Sequence, residues 1–289
     1  MIIDLKYHIA TLVAVFLALG LGIFIGNTLL GSDAVLEQQQ QIADSLERQL
    51  EEIRTENKII EDRANRLELE YGAQKSFAKE VFPLLVNERI MGKNLAIIET
   101  NPYGFPEGLA ETLKVAGAKV TSSTTVLNGL ELGENKEQIL SELGIKDIKS
   151  SEIEKYIAGQ IAQGIHMGDN MAVLNYLAQN NLIEIQGDYG IALDGVIIIG
   201  GCNVEEENKS KIIDVPVIDY FKNNMITVYG VEESNLSYSY MGAYQNKRIS
   251  TVDNIDTIPG QLALVLLIEG KTGHYGIKPT AQQLIPAIN

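Results

Sequence analysis

The stretch IATLVAVFLALGLGIFIGNTLLGS, residues 9–32, carries no charged side chain. A helix needs roughly 20 apolar residues to cross the hydrocarbon of a bilayer, and this run of about 24 is long enough. A secretory signal is the first competitor, with Lys6 as its positive end. Signal cores typically take about 7–15 residues and close on a small-x-small cleavage site. This run is longer and passes straight into helix-forming polar sequence. The reading is an uncleaved transmembrane anchor over 9–32 behind a short cytoplasmic tail, 1–8. A cleaved signal and a buried soluble helix are the alternatives.

The flanks orient the anchor. Lys6 and the amino terminus precede it, offset by Asp4, while Asp33, Glu37, Asp44 and Glu47 follow before the first base, Arg48. The positive-inside rule then puts the N-terminus in the cytosol and the bulk of the chain outside a single-pass cell membrane protein. Ala10, Ala14, Ala18, Gly22 and Gly26 recur every fourth residue along one face. Small-xxx-small stripes let membrane helices approach closely, so this face is a candidate dimer contact; small residues are also simply common in such helices.

Residues 33–82 continue as a heptad. With Leu36 at a, the a series runs Leu36, Ala43, Leu50, Asn57, Ala64, Tyr71, Ala78, and the d series Gln39, Leu46, Ile53, Ile60, Leu67, Gln74, Val81. Apolar a/d repeats indicate a coiled coil, and one buried Asn tends to fix register and dimeric state. The expected seam is Leu36, Leu46, Leu50, Ile53, Asn57, Ile60 and Leu67, in a parallel homodimer. Arg63 opposite Glu68 and Glu70 opposite Lys75 agree with that pairing, whereas Glu56 opposite Glu61 opposes it. A solitary amphipathic helix is the alternative. At 1.5 Å per residue the rod would span roughly 70 Å.

After Pro83 the period changes. Residues 94–99 (NLAIIE), 119–126, 195–199 (GVIII) and 225–231 read as strands, separated by helical patterns at 107–116, 205–213 and 217–223. Strands alternating with helices indicate a mainly parallel α/β sheet, here a Rossmann-like domain over 83–289. A helical insertion occupies about 127–193, either as a lid or as a packing subdomain. Within it Ser151–Glu154 offers a capping box, Ile153, Ile157 and Ile161 share a face until Gly164, and Asp169 suits the cap of a further helix. Near the end, Thr257 is a candidate N-cap with Pro259 in the first turn, before apolar 262–268.

Composition narrows the function. Net charge is −15, from 23 Lys and Arg against 38 Asp and Glu, which argues against nucleic acid as a partner. Cys202 is the single cysteine, so intrachain disulfides and Cys-based zinc modules are excluded.

The start IIDLKYHIATLVAVFLALGLGIFIG, the coiled coil behind it, STVDNIDTIPGQLALVL at 250–266 and HYG at 274–276 together resemble a known family. It is the actinobacterial and firmicute family often labelled copper transporter, after the mycobacterial copper transport protein B. The family also includes SteB-like proteins linked to septal cell separation. The resemblance implies one anchor, an extracytoplasmic coiled coil and an α/β domain without established catalysis. Its cell-separation members imply a membrane partner (SteA-like) and control of peptidoglycan hydrolases. Asp253, Asn254, Asp256, Thr257, Pro259 and Gly260 match the family's late motif, with no role implied for them.

Cu(I) favours thiolate and thioether ligands. Met167 and Met171, read as one helix face beside His166, are the nearest such group, and paired methionines are more often core filler. Ligands of parallel α/β sheets bind outside the carboxyl ends of the strands. That rule gathers Glu99, Asn101, Gly201, Asn203 and Glu232, with Glu233, Asp253 and Asp256 beside them, into an acidic crevice suited to a cation or sugar hydroxyls. No phosphate loop, nucleophile elbow, catalytic set, metal cage or cofactor fingerprint accompanies it. The reading is a non-enzymatic membrane-anchored scaffold or regulator of a peptidoglycan hydrolase in septal cell separation. Copper efflux through a pore-forming assembly is one alternative, and an extracytoplasmic ligand-binding or hydrolytic domain another.

Overall fold

The computed structural model describes residues 5–101, 103–133, 136–144, 148–168 and 171–288, leaving aside the side chains of 29–34. Asp4 and Asp169 lie outside the described residues, as does the side chain of Asp33. Two compact units divide at Gln74/Lys75.

The first unit is helix throughout its described residues, part of α1 (Leu5–Val86). Its stretch Leu5–Thr28 is long and apolar enough to cross a membrane. Beyond it the heptad aliphatics stand open: Leu46 is 53% exposed, Ile53 53% and Ile60 64%. Intrinsic propensity does not hold so long a helix in water by itself, since most helical stability comes from packing an apolar face. Within the first unit the described residues leave that face uncovered.

In the second unit α1 does not stop at Pro83. It runs on to Val86, although proline removes an N–H and crowds the carbonyl four residues back. Packing outweighs this: Val86 and Ile90 are buried in the core, with Phe82 and Leu85 half-covered against the same cluster.

The remaining elements are β1 (Asn94–Glu99), α2 (Leu109–Val115), β2 (Lys119–Val126), α3 (Lys136–Glu142), α4 (Ile153–Met167), α5 (Met171–Gln179), β3 (Ile183–Gly187), β4 (Gly195–Ile199), α6 (Asp214–Asn223), β5 (Thr227–Val231), α7 (Met241–Asn246), β6 (Ser250–Val252), α8 (Ile258–Glu269) and β7 (His274–Tyr275). The seven strands form one sheet in the order β3-β2-β1-β4-β5-β6-β7. All neighbours are parallel except the edge pair β2–β3.

Strand alternation builds two cores. Ala96, Ile98, Val196 and Ile198 face the side covered by α4, α5, α6 and α7. Leu95, Ile97, Ile197 and Ile199 face α2 and α8. Every residue of α8 from Gly260 to Ile268 is buried, which explains why that helix is apolar all round. The mixed α/β expectation therefore holds, with a mostly parallel sheet covered on both faces.

Several local expectations change. The 127–193 insertion holds α3, α4 and α5, but also β3, an antiparallel edge strand. Residues 205–213 are not a helix: Glu205–Glu207 forms one 3-10 turn, and the helix begins at Asp214. The capping box at Ser151 does not form, because Ser150–Glu152 is itself a 3-10 turn and Glu152 precedes α4 without a side-chain cap bond. Nor does Gly164 end α4. The helix continues to Met167 and closes on Gly168 at φ 66°, while Gly164 lets α5 approach: a Cβ there would lie 2.8 Å from Leu174 Cγ. The Ile153, Ile157, Ile161 face is buried as expected.

Candidate functional site at the carboxyl edge of the sheet

The carboxyl ends of β1, β5 and β6 carry the expected acids, and the carboxylates of Glu99, Glu232, Asp253 and Asp256 are each engaged by the chain itself. Glu99 accepts from Gly104 N at 3.0 Å through one oxygen and from Thr125 Oγ1 at 3.0 Å through the other. Burial raises its pKa, partly offset by those two bonds, with Glu184 adding to the rise. Asn101 donates from Nδ2 to Gly201 O at 2.5 Å and to the Tyr240 hydroxyl at 3.1 Å, joining the ends of β1 and β4. Asn203 lies on the outer rim, where its N–H donates to the Tyr103 hydroxyl and its Oδ1 accepts from Ser237 N.

Glu232 is fully buried and carries the densest set of bonds. It accepts from Ser239 Oγ at 2.5 Å, Tyr240 N at 2.8 Å and Lys278 Nζ at 2.8 Å. Desolvation raises its pKa, and Lys278 and Ser239 pull against that rise. Glu233 is raised by burial, then by Asp256 and Glu99. The cation-seeking crevice is thus met by the chain's own ammonium, Lys278, which also donates to Glu233 O. Leu236 packs against Gly201, which is held at φ 91°: a Cβ there would lie 2.5 Å from Leu236 Cδ1.

The late motif turns out to be a set of clasps. Asp253 accepts from Ile277 N at 2.7 Å and Lys278 N at 3.1 Å, fixing the loop that brings the lysine to Glu232. Asp256 grips Ser234 through N and Oγ, at 2.7 and 2.6 Å. Thr257 caps α8 by accepting from Gly260 N, and Pro259 sits in the first turn, as expected. Gly260 has no side chain because one would overlap the Asn254 carbonyl. Asn254 is buried, with Oδ1 unpartnered.

Sequence reasoning missed the layer beneath. Asp214, Tyr240 and Tyr244 are all buried behind Gly200, where a Cβ would overlap the Tyr244 hydroxyl and lie 2.7 Å from Tyr240 Cδ2. A signal was present: Asp214 interrupts the apolar run IIDVPVI, and a lone carboxylate in such a run is a candidate for burial. Lys278 gave none.

The soft-ligand group does not assemble as expected. Met167 ends α4 and Met171 begins α5, with left-handed Gly168 between, so they share no helix face. His166 instead contacts Tyr220. Among the described residues no group of three or more His, Cys, Asp or Glu is placed to hold a metal ion.

A helix long and apolar enough to cross a membrane, joined in sequence to an α/β domain, fits the class of membrane-associated proteins. The chain belongs to the family described as copper transport outer membrane protein, MctB, whose model matches residues 2–286. It is 23% identical over 310 residues to the copper transporter MctB of Mycobacterium bovis, a match covering 95% of this chain and 96% of that protein. The copper transporter MctB of two Mycobacterium tuberculosis strains matches to the same extent.

Proposed function

We propose that this chain is a membrane-anchored component of copper transport in the cell envelope, its copper pathway being formed between copies. Family membership over residues 2–286 carries this reading. Among the described residues one helix is long and apolar enough to span, which by itself encloses no channel, and no His/Cys/Asp/Glu cluster is placed to hold the metal. Both facts support a pathway shared between chains. Copies associate through the stripe Ala10, Ala14, Ala18, Gly22 and Gly26 and through a parallel coiled coil. The N-terminus faces the cytosol and the α/β domain, Rossmann-like in its strand order, lies outside. Its role is not catalytic, a reading supported by the internal bonding of the crevice acids. Cells lacking the gene should accumulate copper and become copper-sensitive, and the intact gene should restore both; unchanged copper content would refute the proposal.

A second reading is favoured by the open heptad face of α1, which suits a protein partner. Here the chain is a scaffold in septal cell separation, controlling a peptidoglycan hydrolase with a SteA-like envelope partner. Deletion would then give chained cells of normal copper tolerance.

A further inference from the structure

Asp214 opens α6 and lies wholly buried at the point where the sheet order turns outward from β1 and β4. Its Oδ2 is met by two hydroxyls, Tyr244 and Thr100, the latter at 3.0 Å. Its Oδ1 has no hydrogen-bond partner. Among the described residues no cation pairs with it. The nearby ammoniums are committed elsewhere, Lys209 to Glu131 and Glu154 and Lys278 to Glu232. The titratable groups that face it are Tyr244 on α7, Tyr240 before α7 and Cys202 after β4, with Glu232 after β5 acting on Tyr244. All are neutral or anionic, so none favours a carboxylate at Asp214.

The hydroxyl of Thr100 makes the arrangement two-state. It lies 3.0 Å from Asp214 Oδ2 and 3.2 Å from Ile199 O, and a hydroxyl has one proton to give. With Asp214 ionised, Thr100 must donate to the carboxylate and leave the β4 carbonyl. With Asp214 protonated, the acid donates to Thr100 Oγ1, and Thr100 donates to Ile199 O alongside its own N–H at 3.0 Å. The unpartnered Oδ1 is then a neutral carbonyl oxygen, much less costly to bury than half of a charge.

We propose that Asp214 is a proton-binding site at the β1–β4 junction, whose proton decides whether the Thr100 hydroxyl bonds β4 or the α6 carboxyl. Burial pushes this carboxyl up to about 7, against the pull of the Tyr244 and Thr100 hydroxyls and of its own backbone N–H. The inference is independent of the copper reading.

Infrared difference spectra of the full chain in detergent test it, titrated from about pH 5 to about pH 9, on either side of the value above. Glu99, Glu232 and Glu233 contribute to the protonated-carboxyl region in both proteins, so the readout is the component present in wild type and missing in Asp214→Asn, which should be there at the acid end and vanish through neutrality. Thr100→Val removes a donor to the charged form, so that component should persist to higher pH. A component lost below about pH 5, or no difference between wild type and Asp214→Asn through neutrality, overturns the proton site. A midpoint unmoved by Thr100→Val overturns the hydroxyl switch, and this variant decides the matter if Asp214→Asn does not fold.

Discussion

The Asp253 carboxylate rests directly on Gly276. The glycine is held at φ 137°, a Cβ there would overlap the carboxylate, and the next two N–H groups, of Ile277 and Lys278, donate to it. The late motif and the HYG tripeptide are thereby two halves of one joint. Gly276→Ala combines a left-handed backbone with a steric clash, so it should cost about 2–3 kcal/mol of stability, near the upper range for a strained backbone site. Thermal unfolding of the variant against wild type checks this. Asp253→Asn, which keeps an acceptor oxygen and the shape, should lose less.

Lys278→Met should destabilise by about 3–5 kcal/mol near neutral pH, because Glu232 would keep a buried charge without its ammonium. The sign with pH follows from the raised pKa of Glu232. A carboxyl raised in the folded state binds more protons than in the unfolded chain, so its contribution is full below the ordinary value and is lost as pH rises. Removing the lysine raises it further, and the variant's deficit should grow from acid to alkaline pH. Denaturant midpoints at several pH values measure this; a deficit independent of pH would mean that Glu232 is neutral throughout.

Gly164→Leu should separate α4 from α5, since even a Cβ there meets the Leu174 side chain at 2.8 Å. A loss of about 1–3 kcal/mol is expected for such overpacking. Gly159, with open space around it, should accept Ala without loss.

The exposed seam of α1 predicts self-association of the full chain. Single cysteines placed at Leu50 or Ile53, in a Cys202→Ser background, should crosslink two copies in membranes, whereas one at exposed Lys58 should not. Asn57→Leu should strengthen the assembly while loosening its number of strands. Equal crosslinking at all three positions would argue for contact without a coiled-coil seam.

Much of the sheet is legible because β1, β2 and β4 are apolar or β-branched runs closed by turn residues, and their bounds follow the sequence. β6 and β7 are only 3 and 2 residues long, too short for any period to show. β3 presents a half-exposed edge, buried only at Ile183 among its first residues, and so resembles surface sequence. At the candidate site the acids could be placed from strand ends alone. Their partners could not: Lys278, Tyr240 and Tyr244 arrive from later loops and helices, and tertiary pairing leaves no local signature. That Lys278 meets Glu232 in the crevice was hidden for the same reason, since a lysine that fills a cleft looks no different in sequence from one on the surface.

The burial of α8 has a consequence for synthesis. One face of the central strands, Leu95 and Ile97 on β1 with Ile197 and Ile199 on β4, is packed in the same cluster as Leu262–Ile268. Those strands are translated long before the helix that covers them, and β1 itself pairs with β4 only after some hundred residues have followed. The nascent chain therefore carries an apolar sheet face only partly covered, by α2, until its last stretch emerges. A chain interrupted before Ile258 would keep the apolar stretch Leu5–Thr28 and six of the seven strands in full, yet expose a sticky surface, and it is such fragments that quality-control proteases would meet first.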